Sequence, residues 1–242
     1  MSGFRRLRWS TIYTRMTWLI HFPSWIENDM CKILLLPGMT PDHRIFDRLL
    51  PLLPNAVVVD WIPPIGHDSI VSYAARLSRT LNIDEPNVVC GVSFGGIVAR
   101  ELACQVNAAC CVLVSTVRSP RELPPWFRIC RVIPRRLVNF TLKFSGSLAS
   151  TCPGPLRSSL TWRLKKFSGK YGAWYRWATA AVLSWRPSQS IDHIPVIQIH
   201  GDRDRIFPIK YTSADVVIRG GGHSLAFTHH DEIAMQLRRI SL

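Results

Sequence analysis

The sequence is short of acidic residues: 16 Asp and Glu stand against 30 Lys and Arg, which gives a formal net charge of +14 over 242 residues. Apart from this imbalance the composition is ordinary, with 47% hydrophobic and 19% charged residues. These values exclude a disordered or collagen-like chain. The length allows one α/β domain with an insertion, or two small domains, with a substantial core in either case.

Long apolar runs and paired cysteine motifs are also missing. No segment reaches about 18 uninterrupted apolar residues, so the sequence predicts no transmembrane helix. The seven cysteines form no C-x-x-C pair and no Cys/His pattern with zinc-ligand spacing, so we expect no metal site. Because Cys90, Cys110 and Cys111 lie within apolar runs, we interpret them as buried thiols and predict a reducing, cytoplasmic location.

Residues 1–29 differ in character from the rest of the chain. They carry four arginines and no acid before Glu27, and their apolar stretch at 18–26 is too short to span a bilayer. Three interpretations stay open: a dispensable extension before a true start at Met30, an amphipathic segment lying on the surface, or a targeting peptide. We therefore treat 1–29 as an N-terminal extension and 30–242 as the folded domain.

From residue 31 onward, short apolar runs alternate with segments of helical periodicity. The runs predict six strands, at residues 31–36, 55–60, 87–92, 108–114, 195–200 and 215–219. The periodic segments predict helices over 42–53, 69–81, 97–106 and 231–240, with Asp68 or Ser69 as N-cap of the second. This alternation is typical of a doubly wound, mostly parallel α/β sheet. Residues 117–190 contain no strand-like run, and we expect them to form a helical cap inserted between two strands.

The third predicted strand ends in a G-x-S-x-G motif, Gly91-Val-Ser93-Phe-Gly95, which leads directly into a predicted helix. A serine at such an elbow occupies a strained strand-to-helix turn, so its neighbours must be glycines to avoid clashes. The helix N-terminus behind the serine favours developing negative charge. The motif in this position predicts that Ser93 is a nucleophile.

A serine nucleophile needs a general base, and the base needs an orienting acid. The loop after the fifth predicted strand carries Asp202 and Asp204, and the loop after the sixth carries His223. Loops that follow parallel strands meet at one edge of the sheet. The residues therefore predict a Ser–Asp–His constellation of Ser93, one of the two aspartates, and His223.

These features identify residues 31–240 as similar to the α/β-hydrolase superfamily. The resemblance implies that Ser93 is the nucleophile and His223 the base. It favours Asp204 as the acid, because residues 201–208 fit the pattern G-x-x-D-x-x-x-P, and leaves Asp202 as the alternative. It also implies an oxyanion hole formed by the backbone N–H groups of Met39 and Phe94.

The loop that carries Gly38 and Met39 departs from the superfamily pattern at one position, because Pro37 replaces the usual histidine before Gly38.

The resemblance implies hydrolysis of an ester-type bond, a carboxylic ester or a thioester, through an acyl-enzyme on Ser93 and without a cofactor. Two alternatives stay open. The same residues serve acyltransferases, and a non-catalytic relative would instead bind a ligand or a membrane surface.

The positive charge is concentrated in the predicted cap. Residues 117–190 hold 14 Lys and Arg and one acid, Glu122, together with five of the nine tryptophans. Three interpretations are open: a solvated face over a Trp-lined acyl pocket, contact with an anionic membrane surface, or attraction of an acidic substrate. No recognised nucleic-acid module accompanies the charge, so we expect no nucleic acid and take a small, apolar ester-type molecule as the partner.

Overall fold

The fold is built on one sheet of six parallel strands in the order β2-β1-β3-β4-β5-β6. The computed structural model describes residues 31–83, 87–130, 171–188, 191 and 193–241. The predicted extension at 1–29 and the middle of the predicted cap, residues 131–170, lie outside the described residues. The strands are β1 Lys32–Leu36, β2 Ala56–Val58, β3 Asn87–Val92, β4 Cys110–Val114, β5 Val196–Gly201 and β6 Val216–Ile218.

All six predicted strands are confirmed, each to within two residues at either end. The strand order reverses beside β1, because β2 adds to one side of it and β3 to the other. In open parallel sheets a crevice forms above such a reversal, at the carboxyl ends of the strands. The loops that follow β1 and β3 both begin at this crevice.

The two faces of the sheet carry separate apolar clusters because successive side chains of a strand point in opposite directions. On β1, Leu34 and Leu36 belong to one cluster, while Ile33 and Leu35 belong to the other. Helices cover both faces, which explains why the strands read as continuous apolar runs. The α/β fold class predicted from the sequence is therefore confirmed.

Helices α1 and α2 cover the face of the sheet on which Leu34 and Leu36 lie. Helix α1 spans Ile70–Ser78 and begins at a capping box in which Ser69 Oγ accepts from the Ser72 N–H at 3.1 Å. This confirms the predicted start of the helix, whereas its end comes three residues earlier than predicted. Helix α2 spans Phe94–Gln105, so it begins three residues before the predicted start, directly after Ser93.

The opposite face is covered by residues 43–53 and by the C-terminal helices α5, Leu225–Thr228, and α6, His230–Ser241. Helix α6 confirms the predicted helix at 231–240. The helix predicted over 42–53 is wrong in type, because the segment forms two 3-10 turns, His43–Phe46 and Leu50–Leu52. Pro51 lacks the N–H that an α-helix needs at that position. The apolar positions Phe46, Leu49 and Leu53 are buried as their spacing indicated.

The described parts of the predicted cap are helical. After β4 the chain forms a 3-10 turn at Pro120–Glu122 and helix α3, Pro125–Cys130; helix α4, Gly172–Leu183, precedes β5. Helix α4 buries Trp174, Tyr175, Ala178, Ala181 and Val182 in the same cluster as the side chains of α2.

A buried carboxylate fastens the chain after α4 to α2. Glu101 is 1% exposed, and its Oε1 accepts from Trp185 Nε1 at 3.0 Å and from Arg100 Nη1 at 2.8 Å. Its Oε2 accepts from the Ser188 N–H at 3.1 Å. Because an unpaired buried charge is strongly destabilising, this pairing holds the segment after α4 against α2.

The cysteines of the sheet are free and buried, as their sequence context indicated. Cys31, Cys90, Cys110 and Cys111 form no disulfide. Burial raises the pKa of the Cys90 and Cys110 thiols to about 12, so both are protonated and unreactive at neutral pH.

Candidate active site

Ser93 occupies the turn between β3 and α2 in a conformation that few L-residues adopt. Its φ is 55° and its ψ is −120°, and its own N–H donates to the Val114 carbonyl at 2.9 Å. Its carbonyl oxygen accepts from the Gly96 N–H at 3.0 Å and from Thr116 Oγ1 at 2.6 Å. These bonds compensate for the strain of the turn and fix the serine at the N-terminus of α2.

The three glycines around Ser93 are required by close contacts, which are to backbone atoms at Gly91 and Gly95 and to a side chain at Gly96. A Cβ on Gly91 would lie 2.3 Å from the carbonyl oxygen of Gly95, and one on Gly95 would lie 2.2 Å from that of Pro37. A Cβ on Gly96 would lie 2.3 Å from the Thr116 methyl group. All three distances are well inside van der Waals contact, so the elbow closes only with glycine at these positions.

The structure brings together the serine, histidine and aspartate that the sequence singled out. His223 Nε2 lies 2.8 Å from Ser93 Oγ, and His223 Nδ1 lies 2.8 Å from Asp204 Oδ2. A carboxylate can only accept, so Nδ1 carries the ring proton in the neutral histidine. Nε2 is then the acceptor for the serine hydroxyl, and the pair has the geometry of a nucleophile hydrogen-bonded to a base.

Asp204 is buried and held as an anion. Its Oδ1 accepts from the N–H groups of Ile206 at 2.8 Å and Phe207 at 3.0 Å, while its side chain is fully screened from solvent. Burial raises the pKa of Asp204, but hydrogen bonds from His200, His223 and the Phe207 N–H outweigh it and leave the pKa well below the usual range. The group is therefore ionised at neutral pH.

A second histidine contacts the same carboxylate from the end of β5. His200 is completely buried; its Nε2 lies 2.6 Å from the Phe207 carbonyl oxygen and 3.4 Å from Asp204 Oδ2. Both partners are acceptors, so Nε2 carries the proton. By contacting both Asp204 and Phe207, His200 holds the loop that carries Asp204 in place.

The alternative acid, Asp202, lies elsewhere. Its side chain is exposed, and its Oδ1 accepts from the Gly220 N–H at 2.7 Å. It thus joins the loops after β5 and β6, whereas Asp204 is the aspartate that contacts His223.

Of the two residues singled out for the oxyanion hole, Phe94 follows Ser93 directly and Met39 follows Gly38, which lies beside the serine. A Cβ built on Gly38 would lie 3.8 Å from the Ser93 Cβ, so the loop after β1 passes beside the serine. The Met39 N–H makes no hydrogen bond within the part of the chain that the structure describes. Phe94 is the first residue of α2, where an N–H has no intrahelical acceptor.

Aromatic side chains contact the loop after β1, where Trp61 and Trp174 bind the Gly38 and Met39 carbonyls. The ring centroids of Trp61, Phe94 and Trp174 lie 5.4 to 5.7 Å from one another, and Tyr73 and Trp177 extend the group. Trp61 lies after β2 and Trp174 on α4, so the cluster joins the sheet to the described end of the predicted cap. We call these five residues the aromatic cluster.

Sequence reasoning missed several residues of this site. Thr116 and His200 give no motif signal beyond their position at the ends of strands β4 and β5. Both Trp61 and Trp174 can be read off the sequence, but no local pattern predicts that they contact the loop after β1.

The described residues also bear on metal binding and on membrane insertion. Among these residues, His, Cys, Asp and Glu side chains form no group of three that could hold a metal ion. No helix in the same ranges is long and apolar enough to cross a lipid bilayer.

A sequence model of the Alpha/beta hydrolase family matches residues 33–236, and the chain belongs to this family. No curated protein matches the sequence. Similar solved structures include a thermophilic esterase from Thermogutta terrifontis, with 19% identity over 88% of this chain and 91% of that chain and a TM-score of 0.60. The RedJ thioesterase of the prodiginine pathway in Streptomyces coelicolor has 16% identity over 87% and 90% of the two chains and a TM-score of 0.53. At these identities the likeness concerns the fold.

Proposed function

We propose that the chain is a serine hydrolase that cleaves an ester-type bond, a carboxylic ester or a thioester, through an acyl-enzyme on Ser93. The observation that carries the proposal is the continuous hydrogen-bonded series from Ser93 Oγ through His223 to Asp204, with both distances 2.8 Å. Membership of the α/β-hydrolase family supports it, and solved structures of the same fold include an esterase and a thioesterase.

Each group in the series has a defined role in the first step of the proposed reaction. His223 Nε2 takes the hydroxyl proton as Ser93 Oγ bonds to the carbonyl carbon, and the carbonyl oxygen becomes an oxyanion. The N–H groups of Met39 and Phe94 stabilise that oxygen. The ionised Asp204 stabilises the imidazolium, since its pKa lies below the usual range.

The tetrahedral intermediate then collapses, and His223 returns its proton to the leaving alcohol or thiol. Water deprotonated by the same histidine attacks the acyl carbon, and a second collapse releases the acid and restores the serine hydroxyl. This cycle uses only side chains and backbone groups of the chain, so the proposal includes no cofactor. The tryptophan-rich composition of residues 117–190 favours an apolar acyl or aromatic group.

A fluorophosphonate probe tests the nucleophile directly. We expect the purified wild-type protein to form an adduct that mass spectrometry locates on Ser93, and the Ser93→Ala and His223→Ala variants to form none. Ser224→Ala, which removes an exposed hydroxyl next to His223, is the matched control and should label like the wild type. A folded wild-type protein that does not label would contradict the proposal and favour a non-catalytic ligand-binding relative.

A substrate screen then separates hydrolase from acyltransferase. Aryl esters and thioesters of increasing acyl length should be hydrolysed only when Ser93 is present. If an added alcohol or thiol outcompetes water as the acyl acceptor, the same acyl-enzyme serves acyl transfer instead.

Flotation with vesicles that contain or lack anionic lipid tests the predicted membrane contact. Equal binding to both kinds of vesicle would count against that contact.

A further inference from the structure

Two indole N–H groups bind consecutive carbonyl oxygens of the loop after β1. Trp61 Nε1 donates to the Gly38 carbonyl at 3.2 Å, and Trp174 Nε1 donates to the Met39 carbonyl at 2.6 Å. The two tryptophans approach from different elements, one from the segment after β2 and one from helix α4. Their rings lie 5.4 Å apart, so each also limits the movement of the other.

These two bonds fix the direction of one backbone N–H. The Gly38 carbonyl and the Met39 N–H belong to the same peptide unit, which is planar. No peptide bond in the described residues is cis, so the N–H points opposite to the carbonyl. Because Trp61 holds the carbonyl, it also sets the direction of the Met39 N–H. Trp174 holds the next peptide plane, and together the two bonds restrain both backbone dihedrals of Met39.

Packing keeps the two indoles from turning away. Trp174 is 7% exposed and lies edge-on to Phe94, whose own N–H is the second proposed donor to the oxyanion. Trp61 contacts the same Phe94 ring with centroids 5.6 Å apart. Trp61 and Trp174 therefore link the two donors, because each contacts the Phe94 ring and binds a carbonyl of the loop after β1.

We propose that Trp61 and Trp174 are positioning residues that aim the Met39 N–H at the oxyanion of the reaction. This inference rests on the proposed function, because an aimed N–H matters only if Ser93 forms a tetrahedral intermediate. It assigns to helix α4 a part in the chemistry, because displacement of α4 would break one of the two bonds that orient the loop.

The test removes each indole N–H while keeping an aromatic ring. Loss of a whole oxyanion donor costs about 10²- to 10³-fold in kcat, so a donor that is present but poorly aimed should cost about 10- to 100-fold. We expect Trp61→Phe and Trp174→Phe each to lower kcat by this factor with KM changed less than about threefold, the sign of an interaction made in the transition state.

Trp177→Phe is the matched control. Trp177 belongs to the aromatic cluster, but its Nε1 donates to the Asp68 carbonyl at 2.9 Å, outside the loop after β1. The same loss of ring and N–H should therefore leave kcat within about twofold of wild type. A fall equal to that of Trp61→Phe would show that the cluster acts through general packing, which would overturn the inference.

Affinity for a transition-state mimic gives a second readout that a merely structural role would not move. A trifluoromethyl ketone forms a hemiketal with the Ser93 hydroxyl, and its oxygen takes the position of the oxyanion. Its inhibition constant should rise in Trp61→Phe and Trp174→Phe by the same factor by which kcat falls. If one variant does not fold, the other still removes one of the two bonds, and its kcat and inhibition constant test the inference.

The outcomes separate this inference from the proposed function. A folded wild type that neither labels with fluorophosphonate nor hydrolyses esters contradicts the proposed function itself. A wild type that labels on Ser93 and hydrolyses esters, with kcat and mimic affinity unchanged in both indole variants, overturns the inference alone.

Discussion

Gly95→Ala is the sharpest test of how the elbow at Ser93 and the loop after β1 fit together. The added methyl group would lie 2.2 Å from the Pro37 carbonyl oxygen and 2.5 Å from that of Leu36, where ordinary contact begins at 3.4 Å. Both obstacles are backbone atoms, and Leu36 ends a strand that is paired on both sides. No side chain can rotate to relieve the overlap, so the loop, the elbow or both must move.

The size of the effect follows from this overlap. Forcing extra volume into a packed region costs about 1–3 kcal/mol of unfolding free energy. For a chain of this length each kcal/mol lowers Tm by about 2–4 °C, so we expect a fall of roughly 2–12 °C. A displacement of about 1 Å between nucleophile and oxyanion donors should lower kcat/KM by about 10²-fold.

Thermal unfolding and ester hydrolysis measure the two effects, and Gly222→Ala is the stability control. A Cβ on Gly222 meets no atom within 4 Å. The unfolding free energy of Gly222→Ala should therefore lie within about 0.5 kcal/mol of the wild-type value, and its Tm should be close to that of the wild type. If Gly95→Ala retained both Tm and kcat/KM, the close approach of Gly95 to the loop after β1 would be refuted, and with it the argument for glycine at this position.

Two further substitutions probe the buried carboxylates. Asp204→Asn should lower kcat by about 10³- to 10⁴-fold, because an amide cannot hold His223 in the required tautomer or stabilise the imidazolium. The folded-state pKa of Asp204 lies below its unfolded value near 3.8, so its stabilisation is complete above that pH and is lost as pH falls below it. The difference in unfolding free energy between wild type and Asp204→Asn should therefore shrink in acid, and a constant difference from pH 7 to 2 would contradict this. Glu101→Gln should cost about 1–3 kcal/mol in urea denaturation, since an amide leaves one of the three donors without an acceptor. Glu232→Gln, on the exposed first turn of α6, should change stability by less than about 0.5 kcal/mol, and equal effects of the two would refute the role of burial.

The six strands could be predicted from the sequence because each carries its own local signal. The runs Ile33–Leu36 and Val88–Val92 are apolar throughout, as strands covered on both faces must be. The same signal did not predict the type of helix at residues 43–53, where the apolar spacing was right but the segment forms two 3-10 turns, the second of which contains Pro51. Spacing reports which side chains are buried, and hydrogen bonding decides which helix they form.

The sequence by itself determined the order of the strands along the chain, the glycine elbow around Ser93, and the succession of serine, acid and histidine, because these depend on local patterns. Tertiary structure decided which aspartate faces His223, since Asp202 and Asp204 are two residues apart and differ only in the contacts their loop makes. It also decided that Trp61 and Trp174 bind the loop after β1, across 23 and 135 residues of sequence. Contacts over such separations depend on how whole elements pack, and no local pattern records them.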